Sequence, residues 1–178
     1  MNSSNLQKGS GTLIFKKALK YGLMGNLMLI IGIGIFYLLF DNIVTSTRNL
    51  SIFIVLIFMF FSVREFRTDN SNQLMFWQGV FVGLLTFIVF AAVSGFILYV
   101  FTKYIDPHSL TTYVNFKLDS LEQYEEMLGE EKYAEYYEKT RSLGSFGVAM
   151  DHLFTQTYIG VFGSAIVAAI LRKTPNAA

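Results

Sequence analysis

The chain has 178 residues, of which 53% are hydrophobic and 15% charged, with a net charge of +1 and a mean hydropathy of +0.45. So low a charge content, against about 25% in soluble domains, excludes an ordinary soluble globule. The absence of cysteine excludes a disulfide framework and a cysteine zinc site, and no extensive basic patch supports a nucleic-acid partner.

Four stretches carry no Asp, Glu, Lys or Arg: Tyr21–Phe40, Asn49–Val63, Asn70–Thr102 and Leu153–Leu171. A bilayer core about 30 Å thick needs roughly 20 apolar helical residues to cross it. In chain order, residues 1–12 are polar and Gly/Ser-rich and read as a flexible tail. A basic lead, Lys16, Lys17 and Lys20, enters the first span. That span is too long for a signal core and has no small-x-small cleavage pattern, so it reads as a retained helix. Residues 41–48 read as a short loop. The second span is the shortest, with Arg48 and Arg64 placed to snorkel to either interface. Trp77 suits a headgroup-level anchor at the start of the third.

Residues 103–152 differ in composition, with ten acids and five bases. Asp106-Pro107 predicts an N-cap followed by proline at the first helical position. Leu110, Val114, Leu121, Tyr124 and Leu128 recur at helical spacing, with Gly129 as the stop. A second helix is predicted over 130–141, with Tyr133, Tyr136 and Tyr137 near the lipid. Gly and Ser residues then lead into the fourth span, closed by Arg172 and Lys173.

Four crossings put the N-terminus, the 64–73 turn and the C-terminus on one side, which carries a net charge of +6, against −5 on the other. The positive-inside rule makes the first side cytoplasmic. The fold expected is therefore all-α: an integral membrane four-helix bundle, one domain over 1–178. Its spans are about 19–40, 47–66, 74–102 and 151–171, with an amphipathic helical periplasmic insertion over 103–150 between helices three and four.

Several local sequences belong together: Lys20-Tyr21-Gly22 before the first span, Phe60-Phe61-Ser62-Val63-Arg64-Glu65-Phe66-Arg67 at the end of the second, Phe76 with Gly79 and Gly83, and Ile170-Leu171-Arg172-Lys173. With the long outer segment they resemble domain-of-unknown-function family 4199, small four-helix membrane proteins of Gram-negative bacteria. The family usually has Gly-Ile before the first arginine and Tyr before the second, where this chain has Ser62-Val63 and Phe66. The resemblance implies a fold and an inner-membrane address, and no activity.

Small residues mark three helices: Gly22, Gly25, Asn26 and Gly32; Gly79, Gly83 and Thr86; and Gln156, Gly160, Ser164 and Ala168, each four apart on one face. In lipid, close approach of small residues packs helices. A tight intramolecular bundle is the first interpretation, and a homo-oligomer seam or binding groove the second. Asn26 and Gln156 read as interhelical glue at opposite depths. Asp151 and His152 sit at the rim, where a cap or interface anchor fits better than a proton relay, which needs charge within the core. Arg64 and Arg67 face one way if the second helix continues. They read as topology determinants or snorkelling anchors, with lipid or partner contact as the sharper alternative.

Glu122, Glu125, Glu126, Glu130, Glu131 and Glu135 spread over too many helix faces to converge on a cation. His108 stands alone. No catalytic, cofactor or metal residue is expected, since no P-loop, dinucleotide, nucleophile-elbow or zincin motif is present. The partners expected are the lipid bilayer and a membrane protein or further copies of the chain. The functions weighed are a non-enzymatic structural or scaffold subunit and a small oligomeric transporter or channel.

Overall fold

The computed structural model describes residues 3–39 and 42–173, with the side chains of 3–10 left aside. Among these residues the chain is helical: α1 Ser3–Leu39, α2 Ile43–Asp69, α3 Phe76–Val100, α4 Pro107–Glu122, α5 Glu125–Leu128, α6 Glu130–Arg141 and α7 Ser145–Leu171. A π-helical turn, Phe101–Ile105, extends α3. Four helices are long and apolar enough to cross a membrane: Gly11–Leu39, Ile43–Asp69, Phe76–Ile105 and Ser145–Leu171.

Several boundaries differ from those read in the sequence. The polar start is helical from Ser3, so it continues α1 and is not a tail there. The segment read as a loop over 41–48 is mostly helix. Asn42 caps α2, its side chain accepting from the Thr45 N–H at 3.2 Å; Phe40 and Asp41 lie outside the described residues. The second helix thus gains a full turn at its start and runs 27 residues. Charged Arg48, Arg64, Glu65, Arg67 and Asp69 are inside this helix, which is why a count of uncharged residues undersized it.

α3 and α7 share the most extensive helix contact among the described residues. They run antiparallel with small residues in register. A Cβ on Gly79 would stand 2.9 Å from Ala168 Cβ, and one on Gly83 would stand 3.0 Å from Ser164 Cβ. The Phe87 ring lies directly over Gly160, and Ser94 faces His152. On the other side of α3, Gly22 and Gly25 of α1 seat Val89 and Phe90, and Gly32 seats Leu50 of α2. Asn26 donates to Gly22 O at 2.8 Å and across the interface to Phe90 O at 3.1 Å. Thr86 donates to Val82 O at 2.7 Å and lies 2.8 Å from the Ser62 hydroxyl of α2.

The buried core runs along these contacts through Leu29, Val55, Met59 and Phe90, with a second cluster around Val63, Phe66, Leu74 and Leu171. Outside it, Leu27, Ile31, Leu38, Phe53, Phe81, Phe96, Phe154, Phe162 and Ile166 are exposed on all four long helices. An apolar patch this extensive marks a non-aqueous neighbour.

At one end of the bundle the 70–75 turn takes left-handed backbone at Ser71 and Asn72 (φ 55° and 59°). Leu74 then pairs with Lys173 through N–H···O bonds of 2.9 and 3.1 Å. This bridge ties the end of α7 to the start of α3.

At the other end lies the charged segment. Asp106 caps α4, accepting from the His108 N–H at 3.2 Å, with Pro107 at the first helical position. The predicted stripe does not form one helix to Leu128. α4 ends at Glu122 and the short α5 follows, stopped at Gly129 by left-handed backbone (φ 75°) that glycine adopts without strain. α6 then folds back against α4 as a helical hairpin. Leu110 and Val114 line the cleft between the two with Tyr137. Tyr137 thus meets α4 and lies 6.0 Å from Tyr133, ring to ring, with the rings tilted, while Tyr136 is exposed.

The glycine seam predicts that Gly160→Leu lowers the melting temperature in detergent by an amount matching roughly 1–3 kcal/mol of overpacking. Val161→Leu, on the exposed face, should melt within about 0.5 kcal/mol of the parent. Equal melting of the two variants would show that Gly160 is not at a close contact.

Candidate functional site

A group of polar side chains gathers where α2, α3, α4 and α7 meet beneath the hairpin. α4 enters this region because its cap and the π-helical turn aim it across the bundle end, burying Ser109 and Tyr113. α7 begins at Ser145, so Asp151 lies in its second turn, not at its cap, with its carboxylate directed away from the seam. Two helices, α4 and α2, supply its partners. The Tyr113 hydroxyl donates a hydrogen bond to Asp151 Oδ2. Lys117 Nζ lies 2.9 Å and Arg48 Nη1 3.8 Å from the same oxygen. Arg48 Nη1 also reaches the Tyr113 oxygen at 3.5 Å, and Lys117 lies 5.6 Å from the Tyr113 ring.

Burial pushes the Tyr113 hydroxyl above its ordinary value of 10.0, and the neighbouring carboxylate pushes it further. A raised tyrosine is stabilised as the neutral donor. Its contribution is fully present below about pH 10 and is lost as the pH rises through the raised value.

One residue on, the helix turns by about 100° and His152 points into the seam. Its ring is 2% exposed. Nε2 lies 3.1 Å from Ser94 Oγ and 3.0 Å from Gln156 Nε2. Gln156 also donates to Ser51 Oγ of α2, and Ser51 donates to Arg48 O at 2.6 Å. Gln156 Nε2 is a donor only, so His152 Nε2 is assigned as its acceptor and the ring N–H to Nδ1. His152 Nδ1 and Gln156 Oε1 are buried without a protein partner, as is Thr47 Oγ1 one turn above Ser51. Below this layer Phe87 fills the space over Gly160.

Asp151 and His152 are therefore neighbours in sequence and not partners. Asp151 joins the hairpin to the bundle, and His152 joins α7 to α3. Asn26 and Gln156 bond separately, Asn26 to α3 and Gln156 to α2.

The two arginines at the opposite end also part. Arg67 turns inward and donates to Leu171 O at 3.2 Å, satisfying a carbonyl at the end of α7. Arg64 is exposed. Beside them Glu65 receives Lys17 at 2.9 Å and Lys20 at 3.0 Å, and Lys17 also pairs with Asp69 at 2.5 Å. No group of three or more His, Asp or Glu able to hold a metal occurs among the described residues.

Tyr113, Lys117, Ser51 and Ser94 were not singled out in the sequence, and Arg48 was read there as a snorkelling anchor and not as a partner of Asp151. Arg48 and Asp151 carried a signal: opposite charges at span ends that an even number of crossings brings to the same side. Tyr113 carried none, since it sits next to Val114, inside an apolar pattern.

The architecture is that of an all-helical protein with four candidate membrane spans and a helical hairpin inserted before the last. The chain belongs to the family described as protein of unknown function (DUF4199), whose model matches residues 20–173. No curated protein and no solved structure matches it.

A hydrogen bond to a charged group is worth about 1.5–3 kcal/mol. Tyr113→Phe should therefore speed amide exchange across Pro107–Glu122 by about tenfold or more, with exchange in the cores of α3 and α7 unchanged. Lys117→Gln, which removes a more exposed ion pair, should have the smaller effect. Unchanged exchange in Tyr113→Phe would mean that the Asp151 bond does not hold the hairpin.

Proposed function

We propose that the protein is an integral inner-membrane protein with both termini cytoplasmic, and that it acts as a non-enzymatic scaffold or subunit presenting its α4–α6 hairpin to a periplasmic partner. The observation that carries this is the division of labour within the hairpin. α4 is anchored to the bundle by buried Tyr113 and the Lys117–Asp151 ion pair, while α6 has no buried residue and turns Glu131, Glu135 and Glu138 outward. A segment anchored on one side and polar and exposed on the other suits a docking platform. The charge sorting, +6 against −5, supports the orientation.

A small oligomeric transporter is the second reading, favoured by the unpartnered His152 Nδ1 and Gln156 Oε1. These atoms provide a donor and an acceptor for water or a small polar solute. Against it, no carboxylate or cationic side chain lies at mid-depth, and Phe87 fills the seam below Gln156.

Photo-crosslinking in cells tests the scaffold role, with the reactive group at Glu135 and, for comparison, at lipid-facing Phe162. The proposal predicts a discrete protein adduct from position 135 that is absent from position 162. Crosslinks to the chain's own copies from position 162, with none from 135, would favour the oligomeric alternative.

A further inference from the structure

We propose that the groove between α1 and α2 at the Arg64 end is a binding site for one anionic phospholipid. The proposal rests on the bundle spanning a membrane and adds a specific headgroup site. The groove encloses about 270 Å³ and is lined by Tyr21, Phe61, Arg64, Glu65 and Thr68. Phe61, Arg64 and Thr68 recur at helical spacing, so they share one face of α2. Along that face the chemistry changes in the order a phospholipid requires. Phe61 is exposed at the apolar end, with Phe58 and Tyr21 within 6.5 Å of it, ring to ring. One turn further on comes Arg64, at the polar end.

Local charge accounting selects an anion. Glu65 is already met by Lys17 and Lys20, and Asp69 by Lys17. No carboxylate in the groove is left to receive the ammonium of a zwitterionic headgroup. Lys20 bonds Glu65 and stands 4.9 Å over the Tyr21 ring, so its charge is spent on the groove's own carboxylate. Arg67 is committed to Leu171 O. Arg64 makes no ion pair among the described residues and is exposed. Its planar fork matches a phosphate bidentately, which a lysine cannot do. The site therefore places the lipid phosphate on Arg64 and an acyl chain against Phe61.

Native mass spectrometry of the full chain released from bilayers of phosphatidylethanolamine with a minor fraction of phosphatidylglycerol tests this. The site predicts one retained phosphatidylglycerol in preference to phosphatidylethanolamine. Arg64→Gln should reduce that retention about tenfold, the loss expected for one charge-assisted pair. Lys173→Gln, which removes an equal charge from the same end, should leave it unchanged. Excess inorganic phosphate should not displace the lipid, because the phosphate alone lacks the acyl contact; displacement would identify a free-anion site and overturn the lipid assignment. Equal loss in both variants would reduce the effect to diffuse surface charge and overturn the site. A chain that enters the bilayer normally but retains both lipids equally would overturn the site while leaving the membrane-spanning architecture intact.

Discussion

The close approach of α3 and α7 is the constraint on which the other contacts depend. Gly79 against Ala168, Gly83 against Ser164 and Phe87 over Gly160 form successive layers of one antiparallel seam. Packing without side-chain bulk fixes both the spacing and the register of the two helices, because a one-residue slip would set side chains against the backbone. The register then determines what lies at the far end of the seam. His152 meets Ser94, and Asp151, one residue earlier and rotated by about 100°, faces α2 and α4. A slipped seam would remove the carboxylate from Tyr113 and leave the hairpin without its anchor.

Electrostatics at the two ends follow different rules. At the hairpin end one carboxylate is shared by Tyr113, Lys117 and Arg48, all from other helices, and the cluster is only partly exposed. Such a group is costly to break, because removing one partner leaves the others desolvated. At the opposite end, Lys17 and Lys20 satisfy Glu65 and Asp69, and Arg67 satisfies the end of α7. What remains uncommitted there is cationic and faces outward at Arg64.

Much of the architecture was legible in the sequence. Uncharged stretches announced four long apolar helices, because burying backbone and apolar surface together requires them. The i, i+4 spacing of Gln156, Gly160, Ser164 and Ala168 identified the inner face of α7, and all four are buried. The Asp106-Pro107 pair identified the start of α4. Helix ends were less legible. Polar residues near an interface do not stop a helix, so α2 ran well beyond its uncharged core at both ends and α1 began before the basic lead. The site was hardest to see. Asp151 was visible as a charge at a rim, but its partners lie 38 and 103 residues away along the chain, at Tyr113 and Arg48. Pattern within a helix carries no information about which residue of another helix will arrive opposite. Arg64 and Arg67 looked equivalent at a separation of three, and only the end of α7 arriving beside Arg67 distinguishes them.

The seam register can be measured directly, since the chain contains no cysteine and introduced pairs report without background. A Gly83→Cys/Ser164→Cys double variant, oxidised in the membrane, should form an intramolecular disulfide efficiently, because the Cβ positions lie 3.0 Å apart and need to separate by only about 0.5 Å to reach disulfide spacing. A Gly83→Cys/Ala168→Cys variant, offset by one turn, should remain largely reduced. Efficient closure of the offset pair, or of both pairs alike, would contradict a fixed register and with it the placement of Asp151 beneath the hairpin.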